Sequence, residues 1–127
     1  MTEKLLMVGL GGGAGACLRY LTGVLAIRLF GHGFPWGTVI VNVVGSFLMG
    51  LLAVWLMERG GFARFAPLLL TGVLGGYTTF SAFSLDAVYL IERGRTLAAG
   101  GYVGGSVLLS VAGLMLGLWL GRQAWLP

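Results

Sequence analysis

The chain has 127 residues, of which 57% are hydrophobic and 9% charged, with a formal net charge of +4. Soluble domains carry about 25% charged residues. A water-soluble fold of this size could not hide so much apolar surface, and a mean hydropathy of +0.95 fits the bilayer as solvent. The eight Lys and Arg are scattered one or two at a time, which argues against a nucleic-acid partner. The single cysteine, Cys17, permits neither an intrachain disulfide nor a Cys-based metal site.

The first apolar segment spans 5–30. It is too long for the h-region of a signal peptide, although residues 12–16 mimic a small-residue cleavage site. Gly11 and Gly15 form a GxxxG unit, which lets membrane helices approach closely. Arg19 lies well inside the segment. An Arg at the bilayer centre costs about 2.5–3.5 kcal/mol on insertion scales, so it must snorkel, pair or face water. At the mouth of a vestibule its charge would concentrate anions. A turn over 31–36, with Gly, Pro and His, ends the segment.

The second segment spans 37–57. Thr38, Asn42 and Ser46 recur every four residues and share one face. Such a stripe suits a hydrated seam, and it equally suits hydrogen bonds between helices. Asn42 is the costliest of the three to bury and points towards function.

The third segment, 65–91, holds an unusual run. Paired Gly75 and Gly76 precede Tyr77, then paired Thr78 and Thr79, in the middle of the apolar stretch. Glycine and β-branched residues continue a helix poorly. The spacing predicts a break near 75–79, and broken membrane helices expose backbone groups that bind ions at the midplane. Phe80 and Phe83, three apart, share a face once the helix resumes, flanked by Thr79, Ser81 and Ser84. An aromatic pair at helical spacing is usually lipid-facing or core, but a ring also has a positive edge against which an anion can rest. Asp86 is the one carboxylate well inside a crossing; capping a wet cavity and pairing with an Arg both remain open for it.

The fourth segment, 96–121, carries Tyr102, Ser106 and Ser110 on one face and Gly113, Gly117 and Gly121 at four-residue spacing. The expectation is one all-α membrane domain over 1–127 with four transmembrane helices. Both termini then lie on one side with Lys4, Arg59, Arg64 and Arg122, against Arg28, Arg93 and Arg95 on the other. Positive charge in short loops orients membrane proteins. Four against three orients weakly, so the chain is expected to insert both ways and pair as an antiparallel, dual-topology homodimer; a single fixed topology with a weak bias fits the charges equally.

Three stretches together resemble the Fluc/CrcB family of fluoride channels: 11–20 (GGGAGACLRY), 37–47 (GTVIVNVVGSF) and 72–84 (GVLGGYTTFSAFS). The resemblance covers essentially the whole chain, and the third stretch is the most specific. It implies an antiparallel dimer in a bacterial inner membrane with two fluoride pathways. Asn42 would donate a hydrogen bond to fluoride, and Phe80 and Phe83 would present ring edges to it. Thr38, Thr79, Ser81, Ser84, Tyr102 and Ser110 look like the family's polar track, and Arg19 like its vestibule arginine. Carbonyls of Gly75 and Thr78 would hold a structural sodium ion (Na+) on the dimer axis. The function implied is passive export of fluoride by a channel, not an enzyme. This sequence departs from the family pattern at Ala82, commonly Thr, and at Asp86, commonly Glu. The competing expectation is a small dual-topology drug exporter coupled to protons. Such carriers need an embedded acid, and the first helix has Arg19 instead.

Overall fold

In the computed structural model, which describes residues 1–127, the chain is all helical. Helix α1 covers Thr2–Phe30, α2 Trp36–Glu58, α3 63–77, α4 Ser81–Glu92 and α5 Thr96–Trp125. Four stretches are long and apolar enough to cross a membrane: α1, α2, the 63–92 stretch formed by α3 and α4, and α5. Three of the four run past the expected ends by several residues. The longest extension is at the C-terminus. There α5 runs on past Arg122 to Trp125, and the Arg122 guanidinium grips the Glu58 carboxylate at the end of α2, with Nη2 at 2.9 Å and Nε at 3.1 Å from Oε1.

Turns are made where the chain reverses. Gly31 follows α1 with φ 79° and Gly94 follows α4 with φ 77°, a left-handed conformation that any Cβ would strain. Arg95 donates from Nη1 to the Gly33 carbonyl, tying the α4–α5 turn to the α1–α2 turn. Pro67 sits in the first turn of its helix, where its missing N–H has no partner to lose. From Pro67 to Leu74 the backbone is π-helical, and a single α turn, Gly75–Tyr77, follows.

Two seams of glycine hold the bundle. Gly11 and Gly15 of α1 lie against the backbone of α3. A Cβ on Gly11 would come within 3.0 Å of the Gly72 Cα, and one on Gly76 within 2.5 Å of the Gly12 carbonyl. Gly50 of α2 and Gly117 of α5 meet the same way across the other seam, each backbone against backbone. Without a hydrophobic drive between helices in lipid, such contacts supply dispersion that a side chain would block.

Between the seams, Ala87 and Leu90 of α4 pack on Ala99 and Tyr102 of α5, flanked by Phe34 and Phe83. Only 17 of 127 residues are buried, and side chains such as Leu10, Leu97 and Leu108 point outward. In water this surface would associate; hydrocarbon solvates it.

Candidate functional site

The site is built on three residues that leave the helical ladder. Thr78 is extended, with φ −84° and ψ 158°, between the turn ending at Tyr77 and the start of α4 at Ser81. The Thr79 N–H, which would reach the Gly75 carbonyl in a continuous helix, bonds Asn42 Oδ1 at 2.8 Å instead. The Ala82 N–H, due to the Thr78 carbonyl, bonds Thr79 Oγ1 at 3.1 Å. Asn42 Nδ2 returns a bond to the Thr79 carbonyl at 2.9 Å. The asparagine amide thus pairs with both backbone groups of one residue, Thr79, as a neighbouring strand would. The Gly75 and Thr78 carbonyls are left without their helical donors.

Helix α1 holds this region from the other side. Arg19 Nε donates to the Gly76 carbonyl at 3.0 Å, and Thr22 Oγ1 lies 3.0 Å from Tyr77 Oη. Arg19 is half-buried, and its charge is directed at a carbonyl. That answers the demand an intramembrane Arg makes for a partner.

Two cavities adjoin these residues and share Thr79. The larger, about 590 Å³, is lined by Arg19, His32, Thr38, Asp86 and Arg93 among others. The smaller, about 320 Å³, is a cleft between α2, α4 and α5. It collects Asn42, Ser46, Phe80, Phe83, Ser106 and Ser110.

The hydroxyls differ between them. Thr38 Oγ1 donates to Asp86 Oδ2 at 2.7 Å, and Tyr102 Oη donates to the same oxygen at 3.1 Å. Asp86 is therefore a hydroxyl-bound carboxylate on the larger cavity; it pairs with no Arg. At the cleft, donors remain open. Asn42 keeps a second Nδ2 hydrogen, and Thr79 Oγ1 accepts from Ala82 and shares a 3.4 Å hydrogen bond with Ser81 Oγ in which either hydroxyl can donate. Ser106 Oγ is buried with no partner at all. A buried hydroxyl without a partner is costly unless something else occupies the site.

Of the residues singled out in the sequence, Asn42, Thr79, Phe80, Phe83 and Ser110 meet at the cleft, beside Thr78. Arg19 and Thr38 lie on the larger cavity. Tyr102 stands at Asp86, packed on Phe83 with ring centroids 5.2 Å apart. Ser84 Oγ is turned to the Phe80 carbonyl at 3.0 Å, and exposed Ser81 lies 3.4 Å from Thr79 Oγ1. Phe80 and Phe83 have centroids 5.6 Å apart and rings tilted by 50°. Ser106 stood in the sequence only as one member of a stripe, and its burial sets it apart. His32 and Arg93 join the larger cavity without any signal in their spacing, since they come from separate turns.

Comparison with known proteins bears on the whole chain. Residues 6–118 match the family described as CrcB-like protein, Camphor Resistance (CrcB). A Cereibacter sphaeroides protein named fluoride-specific ion channel FluC is 63% identical over 118 residues, covering 93% of this chain and 94% of its own. Proteins of the same name from Mesorhizobium japonicum and Roseobacter denitrificans are 52% and 51% identical, the latter over 98% of this chain and 99% of its own. With the family matched over residues 6–118 and relatives more than 50% identical over more than nine-tenths of the chain, the chain belongs to the CrcB family.

Proposed function

We propose that the chain is one subunit of a fluoride channel, a multi-pass protein of the bacterial inner membrane that lets fluoride leave the cell passively. The observation that carries the reading is the accounting of donors at the cleft. Asn42, Ser106 and Ser110 converge there with protons uncommitted, next to the Thr79 hydroxyl that is shared with Ser81, beside Phe80 and Phe83. Fluoride is small and strongly hydrated, so a selective path must replace its water. Hydrogen bonds to an ion are roughly twice as strong as neutral ones, and ring edges add weak positive potential. The names of the relatives support the same ion.

The polar track then runs from Arg19 and Thr38 at the larger cavity, past Tyr102, to Asn42, Thr79 and Ser110 at the cleft. Ser81 and Ser84 flank the phenylalanine pair. Arg19 and Arg93, which line that cavity, draw anions in. Fluoride enters from acid surroundings as neutral HF, ionises inside and needs a route out; no energy source is required for that step.

The third span is interrupted at mid-membrane, at 78–80, and two chains pair antiparallel as a homodimer within membrane lipid. The near balance of Arg and Lys between the loops supports dual insertion. A sodium ion suits the interruption. The chain has no group of His, Cys, Asp and Glu that could hold a metal, and a hard cation takes oxygen ligands instead. The Gly75 and Thr78 carbonyls, deprived of helical donors, are such ligands, and a second copy would double them. When bound, sodium offsets carbonyl dipoles and ties two chains together.

The test is release from liposomes. Purified protein should pass fluoride and not chloride, with neither ATP nor a proton gradient. Equal passage of both anions, or release only under a proton gradient, would overturn the proposal. Tags at both termini should be reached from each face of the membrane; access from one face alone removes dual insertion.

A further inference from the structure

Five aromatic rings run in contact from the α1–α2 turn to the exposed end of the cleft. Trp36 lies 4.8 Å from Phe34, and Phe34 5.5 Å from Tyr102, edge-on at 85°. Tyr102 lies 5.2 Å from Phe83, and Phe83 5.6 Å from Phe80. The central ring is the most buried: Tyr102 is 1% exposed, while Phe80 is 78% exposed.

Tyr102 is held at its tip by the bond to Asp86. That bond fixes where the hydroxyl lies. It leaves the ring free to turn, because the hydroxyl sits on the rotation axis. Only neighbours against the ring's edge and face can set its tilt. Phe34 supplies the edge contact and Phe83 leans on the ring at 38°. Aromatic pairs prefer particular tilts over others at the same distance. The tilt imposed by Phe34 is therefore felt by Phe83. Phe34 itself rides on a turn fastened by the Arg95 bond to the Gly33 carbonyl.

We propose that Phe34 is a positioning residue: through Tyr102 it sets the tilt of Phe83, and so the orientation of the Phe80–Phe83 pair. Arg95 serves the same end by fastening the turn. Phe34 borders the larger cavity and not the cleft, so it acts on the pair from outside. The inference rests on the proposed fluoride path, to which it adds a remote determinant of specificity.

Full-length protein in liposomes tests it. Phe34→Ala should slow fluoride release by about threefold to tenfold, the range an edge-to-face contact represents. Phe34→Tyr, which keeps the edge, should restore it, and Arg95→Gln should slow release less than Phe34→Ala does. In a Phe83→Leu background, Phe34→Ala should add nothing. A 3-fluorophenylalanine placed at position 83 alone should give a fluorine resonance that moves on Phe34→Ala, since its meta position reports ring tilt. If Phe34→Ala yields no folded protein, Phe34→Leu keeps the bulk without the ring edge and answers the same question. Undiminished slowing in the Phe83→Leu background, or an unmoved resonance, overturns the positioning role and leaves the channel reading intact. Unchanged release on Phe83→Leu alone strikes the proposed path instead, and the resonance still decides the link to Phe34.

Discussion

The two cavities border the same threonine, yet they treat their hydrogen-bond donors in opposite ways. At the larger one, Thr38 and Tyr102 both give their protons to Asp86. At the cleft, Asn42 holds one proton in reserve, and Ser106 has no partner. A fixed carboxylate consumes donors and repels anions; its absence leaves donors for an ion. Polar residues on a membrane path are thus not equivalent. On the proposed track, Thr38 and Tyr102 border the path with their protons committed to Asp86, whereas Asn42 and Ser106 hold protons that an ion could take.

That contrast can be broken most easily at Asn42. Asn42→Ala removes the cleft's amide and frees both polar groups of the Thr79 peptide. Fluoride release should fall by about tenfold to a hundredfold, the factor for a lost hydrogen bond to a charged group. Thermal unfolding should also come earlier, because the partly buried backbone groups of Thr79 lose their partners. Unchanged release would remove the cleft from the path.

Phe80→Ala should come next, with release down by about threefold to tenfold. Because Phe80 is 78% exposed, stability should move by less than about 0.5 kcal/mol. A large stability loss with normal release would make Phe80 a packing residue. Ser106→Ala should slow release by about twofold to fivefold, less than Asn42→Ala, because its hydroxyl oxygen is buried behind the surface of the cleft. Deleting a buried hydroxyl without a protein partner should leave unfolding unchanged or later. Earlier unfolding would mean that Ser106 is part of the packing.

Thr38→Val sharpens the other side of the comparison. Its proton is already committed to Asp86, and Tyr102 still donates there. Release should change by less than about twofold, below the yield of one neutral hydrogen bond. A loss as large as that of Ser106→Ala would show that the Asp86 cluster itself handles the ion.

How much of this was legible beforehand varies with the kind of interaction. Asn42 stood out because a buried amide in lipid demands a partner. The partner, the Thr79 peptide, was not readable, since it lies 37 positions away. For Asp86 the sequence permits two roles, because its donors, Thr38 and Tyr102, come from two other helices. Arg19 was placed at a vestibule by resemblance, and it lines the larger cavity. Its bond to the Gly76 carbonyl was invisible, as backbone acceptors leave no mark in a sequence. Ser84 sits on the expected pattern, but its hydroxyl turns to its own helix at Phe80.

The amino-acid order alone determined the solvent, the number of apolar helices and the glycine faces. These follow from periodic patterns and from hydrocarbon's intolerance of unpaired peptide groups. Which hydroxyl keeps its proton was decided only when the helices came together. Donors and acceptors are assigned by distances between remote segments, and composition and spacing carry no record of those distances.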